Sequence, residues 1–484
     1  MDPSPETLDP ASWTELRTQG HRMLDDILDY LEHIRERPVW QPIPHSVRAQ
    51  FREPLPSQPT ELADVHETFM QDVLPFAGGN AHPGFMGWVQ GGGTPVGLLA
   101  DMLASGMNAN LGGRDHMPIE VERQMLAWVR DLFGFPESAS GLFVTGTSIG
   151  NLIGVLVART KALGVDVRRG GIAASGMQLT AYTSAAAHGC VAQAMDLSGI
   201  GIDALRRIPV NDRHEMDTDA LRAAIDADRR CGFAPFLIAG TAGTVDTGAI
   251  DNLDAIAAIA RDEDLWMHVD GAYGALAMLS PDLAPRLRGI ERADSIAFDF
   301  HKWGQVPYDA GFVLVRDGDL HRRTFASPAA YLRRDTGGLA GGSFWPCDFG
   351  PDLSRGFKAL KTWFTLKVYG TEQLGRTISG TCSLAQYLAR RIDETPELEL
   401  LAPVSLNIVC FRYRCAQADR VNADIAVALH ESGIAAPSTT TVNGQLALRA
   451  AIFNHRTTAD DIDALIDATL AIGFSAAVPI RKVS

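Results

Sequence analysis

Four short stretches of this sequence carry side chains suited to chemistry, each at the end of an apolar run. In VTGTSIGN, from Val144, a strand gives way to a small polar turn and a helix. The free N–H groups of a helix start, with the hydroxyls of Thr147 and Ser148, suit a phosphate monoester. In TSAAAHGC, His188 closes a strand, where an imidazole can lie flat on a ring. In LWMHVDGAYGA, Asp270 follows a buried strand and can pair with a protonated ring nitrogen, while Gly271 and Ala272 leave room for a flat ligand. The last is SIAFDFHKWG, where Lys302 sits in an exposed-looking turn between the strands SIAF and GFVLV. An amine held among apolar neighbours loses hydration and becomes a nucleophile toward carbonyls. Each stretch alone also has a plain structural reading: a helix cap, a core histidine, a strand-end cap, a solvated lysine stem.

The surrounding pattern supplies the elements that would position these groups. Residues 13 to 37 place Leu16, Met23, Leu24, Ile27, Leu28, Leu31 and Ile34 at helical spacing, predicting an amphipathic helix with one adhesive face. The Pro-rich connector after it is too extended to cover that face, so the helix must pack elsewhere on the chain or on another subunit. A short helix over about 60 to 73 follows, then the Gly-rich loop HPGFMGWVQGGGTP. That loop is no dinucleotide fingerprint, because no adequate strand precedes it.

From about 96 onward helices alternate with the strands LFVT, LTAYTS, RRIPV, PFLIAG, LWMHV, SIAF and GFVLV. This alternation predicts an α/β fold with a mostly parallel seven-stranded sheet sandwiched by helices, whose ligands sit at the carboxyl ends of the strands. Residues 317 to 355 lack periodicity and read as a long Gly-, Arg- and Pro-rich loop. A helical hairpin over about 356 to 394, two strands and two helices then form a small C-terminal α+β layer. The domain expectation is an N-terminal helical arm at 1–80, a large cofactor-binding domain at 81–370 and a small domain at 371–484.

The composition, 46% hydrophobic and 21% charged over 484 residues, is that of a globular protein with a sizeable core. A net charge of -15 without basic runs argues against nucleic acid and anionic membrane surfaces as partners. Six scattered cysteines show neither a CxxC pair nor metal-ligand spacing, so no disulfide framework and no metal site is expected. With an acidic N-terminus and no run of 18 apolar residues, the sequence predicts a cytoplasmic protein.

A phosphate cradle, a stacking imidazole, a carboxylate for a pyridinium nitrogen and a Schiff-base lysine, in order on successive strand ends, are what pyridoxal 5'-phosphate (PLP) requires. Here the sequence closely resembles the group II PLP-dependent amino-acid decarboxylases, the family of aromatic-L-amino-acid and glutamate decarboxylases. The resemblance rests on HPGF at 82–85, the cradle at 145–151, SAAAH at 184–188, TAGT at 241–244, HVDGAYG at 268–274, DFHKW at 299–303, AAYLRRD at 329–335 and LKTWFTLKVYG at 360–370. It covers nearly the whole chain and implies a fold-type-I PLP enzyme, a carboxy-lyase working as a homodimer, with the N-terminal helix wrapping the other subunit.

The resemblance further implies that Lys302 holds the cofactor, Asp270 keeps its ring nitrogen protonated, His188 stacks on the ring and Ala272 packs on the opposite face. Thr147, Ser148 and His301 would bind phosphate or the substrate carboxylate, with Thr241 and Asp299 also at the cofactor. Tyr331 matches the tyrosine that returns a proton after CO2 leaves, which favours amine release over the aldehyde-forming chemistry of members lacking it. Departures are Asp299 where the family usually has Asn, Gly271 for Ala, Gln193 for a common Lys, and Gly91 where aromatic decarboxylases carry a hydroxyl. A carboxylate at 299 would repel a phosphate unless protonated or turned away. GMNANLGG at 106–113, containing Asn110, resembles the glutamate branch, while Phe85, Trp88 and Val89 favour an aromatic or apolar side chain; with Gly91 and Asn110 they are the expected substrate contacts. Arg114 is the nearby cation that could take a side-chain carboxylate. The expected reaction is decarboxylation of an aromatic or bulky apolar L-amino acid. The alternatives are an acidic substrate, an aldehyde synthase and a silent PLP-binding subunit.

Overall fold

The structure, a computed structural model, describes residues 7–327, 335–342 and 344–477. The chain opens with three helices, α1 (Trp13–Glu32), α2 (His45–Gln50) and α3 (Leu62–Thr68). Ser12 caps α1 by accepting from the Glu15 amide, yet no residue of α1 is buried, and Trp13, Leu16 and Met23 stay exposed. Its apolar face is therefore only partly covered by this chain, with Leu24, Ile27, Leu28 and Leu31 half-buried.

Beyond a two-residue strand β1 (Phe85–Met86), the helices α4 (Pro95–Met107) and α5 (Met117–Phe133) lead into the central sheet. Its strands alternate with helices: β2 (Ser140–Val144), α6 (Thr147–Leu163), α7 (Val167–Gly170), β3 (Leu179–Ser184), α8 (Gly189–Leu197), β4 (Leu205–Ile208), α9 (Thr218–Arg230), β5 (Ala234–Thr241), α10 (Leu253–Asp262), β6 (Trp266–Asp270), β7 (Ser295–Asp299) and β8 (Gly311–Val315). The order across the sheet is β2-β8-β7-β6-β5-β3-β4. Only β8 runs against its neighbours, so the seven expected strands do form a mostly parallel sheet. Side chains alternate between two cores: Phe312 and Leu314 of β8 join one with α5, α9 and α10, whereas Val313 and Val315 join the other with α6 and α8. Burial on both faces explains why these strands read as continuous apolar runs.

Helix α6 approaches the sheet closely because glycine recurs one turn apart. A Cβ on Gly150 would lie 2.8 Å from the Ala297 side chain, and one on Gly154 would lie 2.7 Å from His268 Nδ1. That stripe sets Asn151, beside Gly150, against β6.

Residues 317–355, expected to be loop, include a helix, α11 (Gly318–Phe325), capped by Asp317 and buried through Leu320, His321 and Thr324. Eight residues offer too few turns for periodicity to register. Then come α12 (Lys358–Asp393), interrupted at Gly370 where φ is 70°, β9 (Leu398–Leu400), β10 (Ile408–Tyr413), α13 (Ala418–Ser432), β11 (Ala436–Val442), β12 (Gln445–Ala451) and α14 (Ala459–Ala477). They build a second sheet, β1-β11-β12-β10-β9. Its first strand comes from the Gly-rich loop: Phe85 and Met86 pair in parallel with Ala436 and Pro437.

Candidate active site

The carboxyl ends of β2, β3, β5, β6 and β7 converge on a cleft of about 370 Å³. Thr147, Ser148, His188, Thr241, Asp270, Ala272, Asp299, His301 and Lys302 all line it, together with Trp88 and Val89 of the Gly-rich loop. The four sequence stretches thus meet in one place, as the rule for open parallel sheets requires.

At the sheet end of the cleft, Asp270 is 2% exposed. Its Oδ1 accepts the Ala272 amide at 3.2 Å and its Oδ2 accepts Asn151 Nδ2 at 3.1 Å. The Cys190 thiol also faces Oδ2, and burial pushes that thiol well above its usual range. His188 caps α8, its Nδ1 accepting the Cys190 amide at 3.2 Å. Thr241 is held through its backbone: its amide donates at 2.8 Å to Asp251, whose other oxygen takes the Met216 amide at 2.7 Å. Burial raises the Asp251 carboxyl to about 6.

The turn carrying Lys302 differs from its sequence expectation in two ways. It is buried, not exposed: Trp303 is 1% exposed, its Nε1 donates to Thr381 Oγ1 at 3.0 Å, and Tyr273 and Phe453 pack on its ring. Nor are the amine's surroundings apolar, since Lys302 Nζ lies 2.8 Å from Asp299 Oδ2. Asp299 is not turned away from the helix start either; its Oδ1 accepts the Thr147 amide at 2.7 Å. His301 Nδ1 accepts the Ala310 amide at 3.0 Å, its ring lies 4.3 Å from the Tyr308 ring, and burial lowers its pKa.

Two buried hydroxyls in the cleft, Thr147 Oγ1 and Thr241 Oγ1, have no hydrogen-bond partner among the described residues. One stands at the N-terminus of α6, where helix dipole and free amides favour an anion, so the donor set suits a phosphate. With an amine, a buried carboxylate and an imidazole around the same cleft, the residues present fit PLP.

Of the expected substrate contacts, Trp88 is 58% exposed at the cleft and Val89 lies beside it. Gly91 contributes backbone only: its amide donates to His301 O at 3.2 Å, and a Cβ there would lie 2.3 Å from Lys302 O, so the hydroxyl-bearing residue of aromatic decarboxylases has no room. Phe85 and Asn110 do not line the cleft of this chain. Phe85 is buried against Val39 and Ala436, its ring 5.9 Å from that of Trp88. The Asn110 carboxamide oxygen accepts from the Gly112 and Arg355 amides, a loop-fixing role. Arg114 stacks over the Trp345 ring at 4.7 Å. Tyr331 lies outside the described residues. Sequence reading missed Asn151 and Tyr308; the asparagine closing GTSIGN beside Gly150 was the available signal.

Strand order and a cleft equipped for PLP define a fold-type-I PLP enzyme. The chain belongs to the pyridoxal-dependent decarboxylases: residues 44–414 match the family described as "Pyridoxal-dependent decarboxylase conserved domain". It is therefore a PLP-dependent carboxy-lyase of the amino-acid decarboxylase family. It is 32% identical over 460 residues to the aromatic-L-amino-acid decarboxylase of Bacillus atrophaeus, covering 93% of each chain. It is 33% identical to the histidine decarboxylase of Drosophila melanogaster, covering 93% of this chain and 54% of that one. Oryza sativa TDC, solved with PLP and tryptamine, has the same fold, with a TM-score of 0.89 at 24% identity over 98% of this chain and all of that one. Among the described residues no helix is long and apolar enough to cross a membrane, and no group of metal-binding side chains occurs.

Proposed function

We propose that this enzyme decarboxylates an aromatic L-amino acid to its amine and CO2. The observation that carries the substrate class is Trp88, an exposed indole at the cleft with Val89 beside it and Phe85 fixing it from behind. Such a wall receives a planar apolar side chain by stacking. Arg114, the candidate receptor for a side-chain carboxylate, is engaged by Trp345 instead. Similarity to an aromatic-L-amino-acid decarboxylase points the same way.

When bound, PLP supplies an electron sink for the pair released as CO2 departs. The chain supplies the rest. Lys302 Nζ, held by Asp299, is the amine that would carry the cofactor and yield it to the substrate amine. Asp270, buried and hydrogen-bonded only by donors, is suited to accept a proton-bearing ring nitrogen. The His188 ring would cover one face and Ala272 the other, while Thr147, Ser148, Thr241 and His301 would hold phosphate or substrate carboxylate. Tyr331 would return the proton to carbon, which makes amine rather than aldehyde the product. The exposed apolar side chains of α1, Trp13, Leu16 and Met23, support a homodimer in which that helix wraps a second copy.

Screening the twenty amino acids with PLP-loaded enzyme, while measuring CO2, amine, aldehyde and peroxide, tests this reading. Amine and CO2 from tryptophan, tyrosine or phenylalanine are expected. Turnover confined to glutamate or aspartate, or aldehyde with peroxide in place of amine, would overturn it.

A further inference from the structure

Behind Asp270 runs a line of buried polar side chains that lie outside the cleft itself. Trp266 Nε1, which can only donate, gives its hydrogen to Ser295 Oγ across 2.8 Å. Ser295 Oγ also meets His268 Nδ1 at 2.8 Å, and His268 Nε2 meets Asn151 Oδ1 at 2.8 Å. Asn151 Nδ2 then reaches Asp270 Oδ2 at 3.1 Å. All five residues are buried.

Each hydrogen in this line has one place to go. The imidazole of His268 is enclosed, and burial lowers its pKa to about 4, so the ring is neutral with a single N–H. Asn151 sets its amide nitrogen toward Asp270 and the Cys190 sulfur, since the reversed amide would press its oxygen against a carboxylate. Asn151 Oδ1 must then accept, which places the His268 proton on Nε2. Nδ1 in turn accepts the hydroxyl hydrogen of Ser295, whose oxygen is already taken as acceptor by Trp266. All the donors point toward Asp270, and hydrogen bonds donated to a carboxyl group favour its charged form. The approach of α6 permitted by Gly154 is what brings His268 and Asn151 into line.

We propose that Trp266, Ser295, His268 and Asn151 form a one-way hydrogen-bond relay that keeps Asp270 ionised and turned toward the cofactor's ring nitrogen, with His268 as a positioning residue. The relay rests on the reading that Asp270 faces that nitrogen. Its ring-nitrogen effect is separable from a general packing effect, because 1-deazapyridoxal 5'-phosphate has carbon where PLP has the nitrogen. Purified apoenzyme is titrated with each compound, and holoenzyme loaded with ring-15N PLP is examined by NMR.

Wild type is expected to prefer PLP and to show a protonated ring nitrogen. His268→Phe and Asn151→Ala should shrink that preference about ten- to hundredfold, the worth of a hydrogen bond to a charged group, and move the 15N signal toward the unprotonated range. His268→Gln, which can still donate to Asn151, should restore most of both, and Ser295→Ala should show an intermediate loss. Equal weakening of both compounds in the variants, or an unmoved 15N signal, would overturn the relay. Equal binding of both compounds by wild type would instead overturn the role given to Asp270.

Discussion

The two oxygens of Asp299 are divided between Lys302 Nζ, 2.8 Å away, and the Thr147 amide, 2.7 Å away. A single carboxylate, 1% exposed, thus ties the amine to the helix start that suits a phosphate. Anion and carboxylate compete for the same Thr147 N–H, and like charges in a buried site repel.

Asp299→Asn removes the negative charge that would repel a phosphate and leaves a group able to donate. Apoenzyme carrying it should bind PLP about tenfold more tightly relative to pyridoxal, which lacks the phosphate, an effect of about 1.4 kcal/mol. An unchanged PLP-to-pyridoxal ratio by fluorescence titration would mean that Asp299 does not oppose the phosphate.

Trp88→Ala takes away the stacking wall without touching the cofactor's partners. kcat/KM for an aromatic substrate should fall about fivefold, in line with roughly 1 kcal/mol for an aromatic pair. PLP affinity should hold. A drop in PLP affinity of the same size would assign Trp88 to the cofactor instead.

Tyr331→Phe should leave CO2 release intact and lower amine yield severalfold, with aldehyde making up the difference. Full amine yield from the variant would remove Tyr331 as proton donor.

Burial holds His268 down to about 4 and His321 to about 3, against a usual value near 6.5. Between these values the unfolded chain binds protons that the folded chain refuses. Their stability contribution is therefore complete above pH 6.5 and is lost as pH falls toward 4, each histidine giving up about 1.4 kcal/mol per pH unit crossed. Asp251, raised to about 6, opposes this: between about 3.9 and 6 the folded chain binds its proton, favouring the fold at lower pH. Two buried histidines against one carboxyl give a net loss on acidification, read as a lower urea midpoint at pH 5 than at pH 7.5. His321→Gln should flatten that dependence.

Arg355 is buried with Glu122, and it also donates to Leu111 O and Phe143 O. Arg355→Leu strands the Glu122 carboxylate and should cost about 3–5 kcal/mol in urea unfolding. Adding Glu122→Gln should recover part of that loss.

The seven strands of the central sheet were legible because burial on both faces leaves each an unbroken apolar run between helices with caps such as Asp217 and Asn252. The site was legible wherever a chemical group closes a strand, as His188, Asp270 and Lys302 do. β11, in contrast, is APSTTTV, whose outward threonines give no apolar signal, and β1 is two residues long. Their pairing depends on residues some 350 positions apart. The relay to Asp270 was hidden for the same reason: Asn151, His268 and Ser295 come from three elements, and nothing in one stretch announces the others. The burial of Trp303 depends likewise on Tyr273, Thr381 and Phe453 arriving from other elements.

The strand β1 also bears on the order in which the molecule is made. Trp88 and its loop leave the ribosome well before their partners, for Phe85 and Met86 find their neighbours only at Ala436 and Pro437, and the Gly87 carbonyl is bonded by Arg449. Contacts this distant in sequence form late, after the costly closure of a long loop. The strands of the central sheet can assemble during synthesis, whereas the loop bearing Trp88 is fixed only once β11 and β12 have emerged.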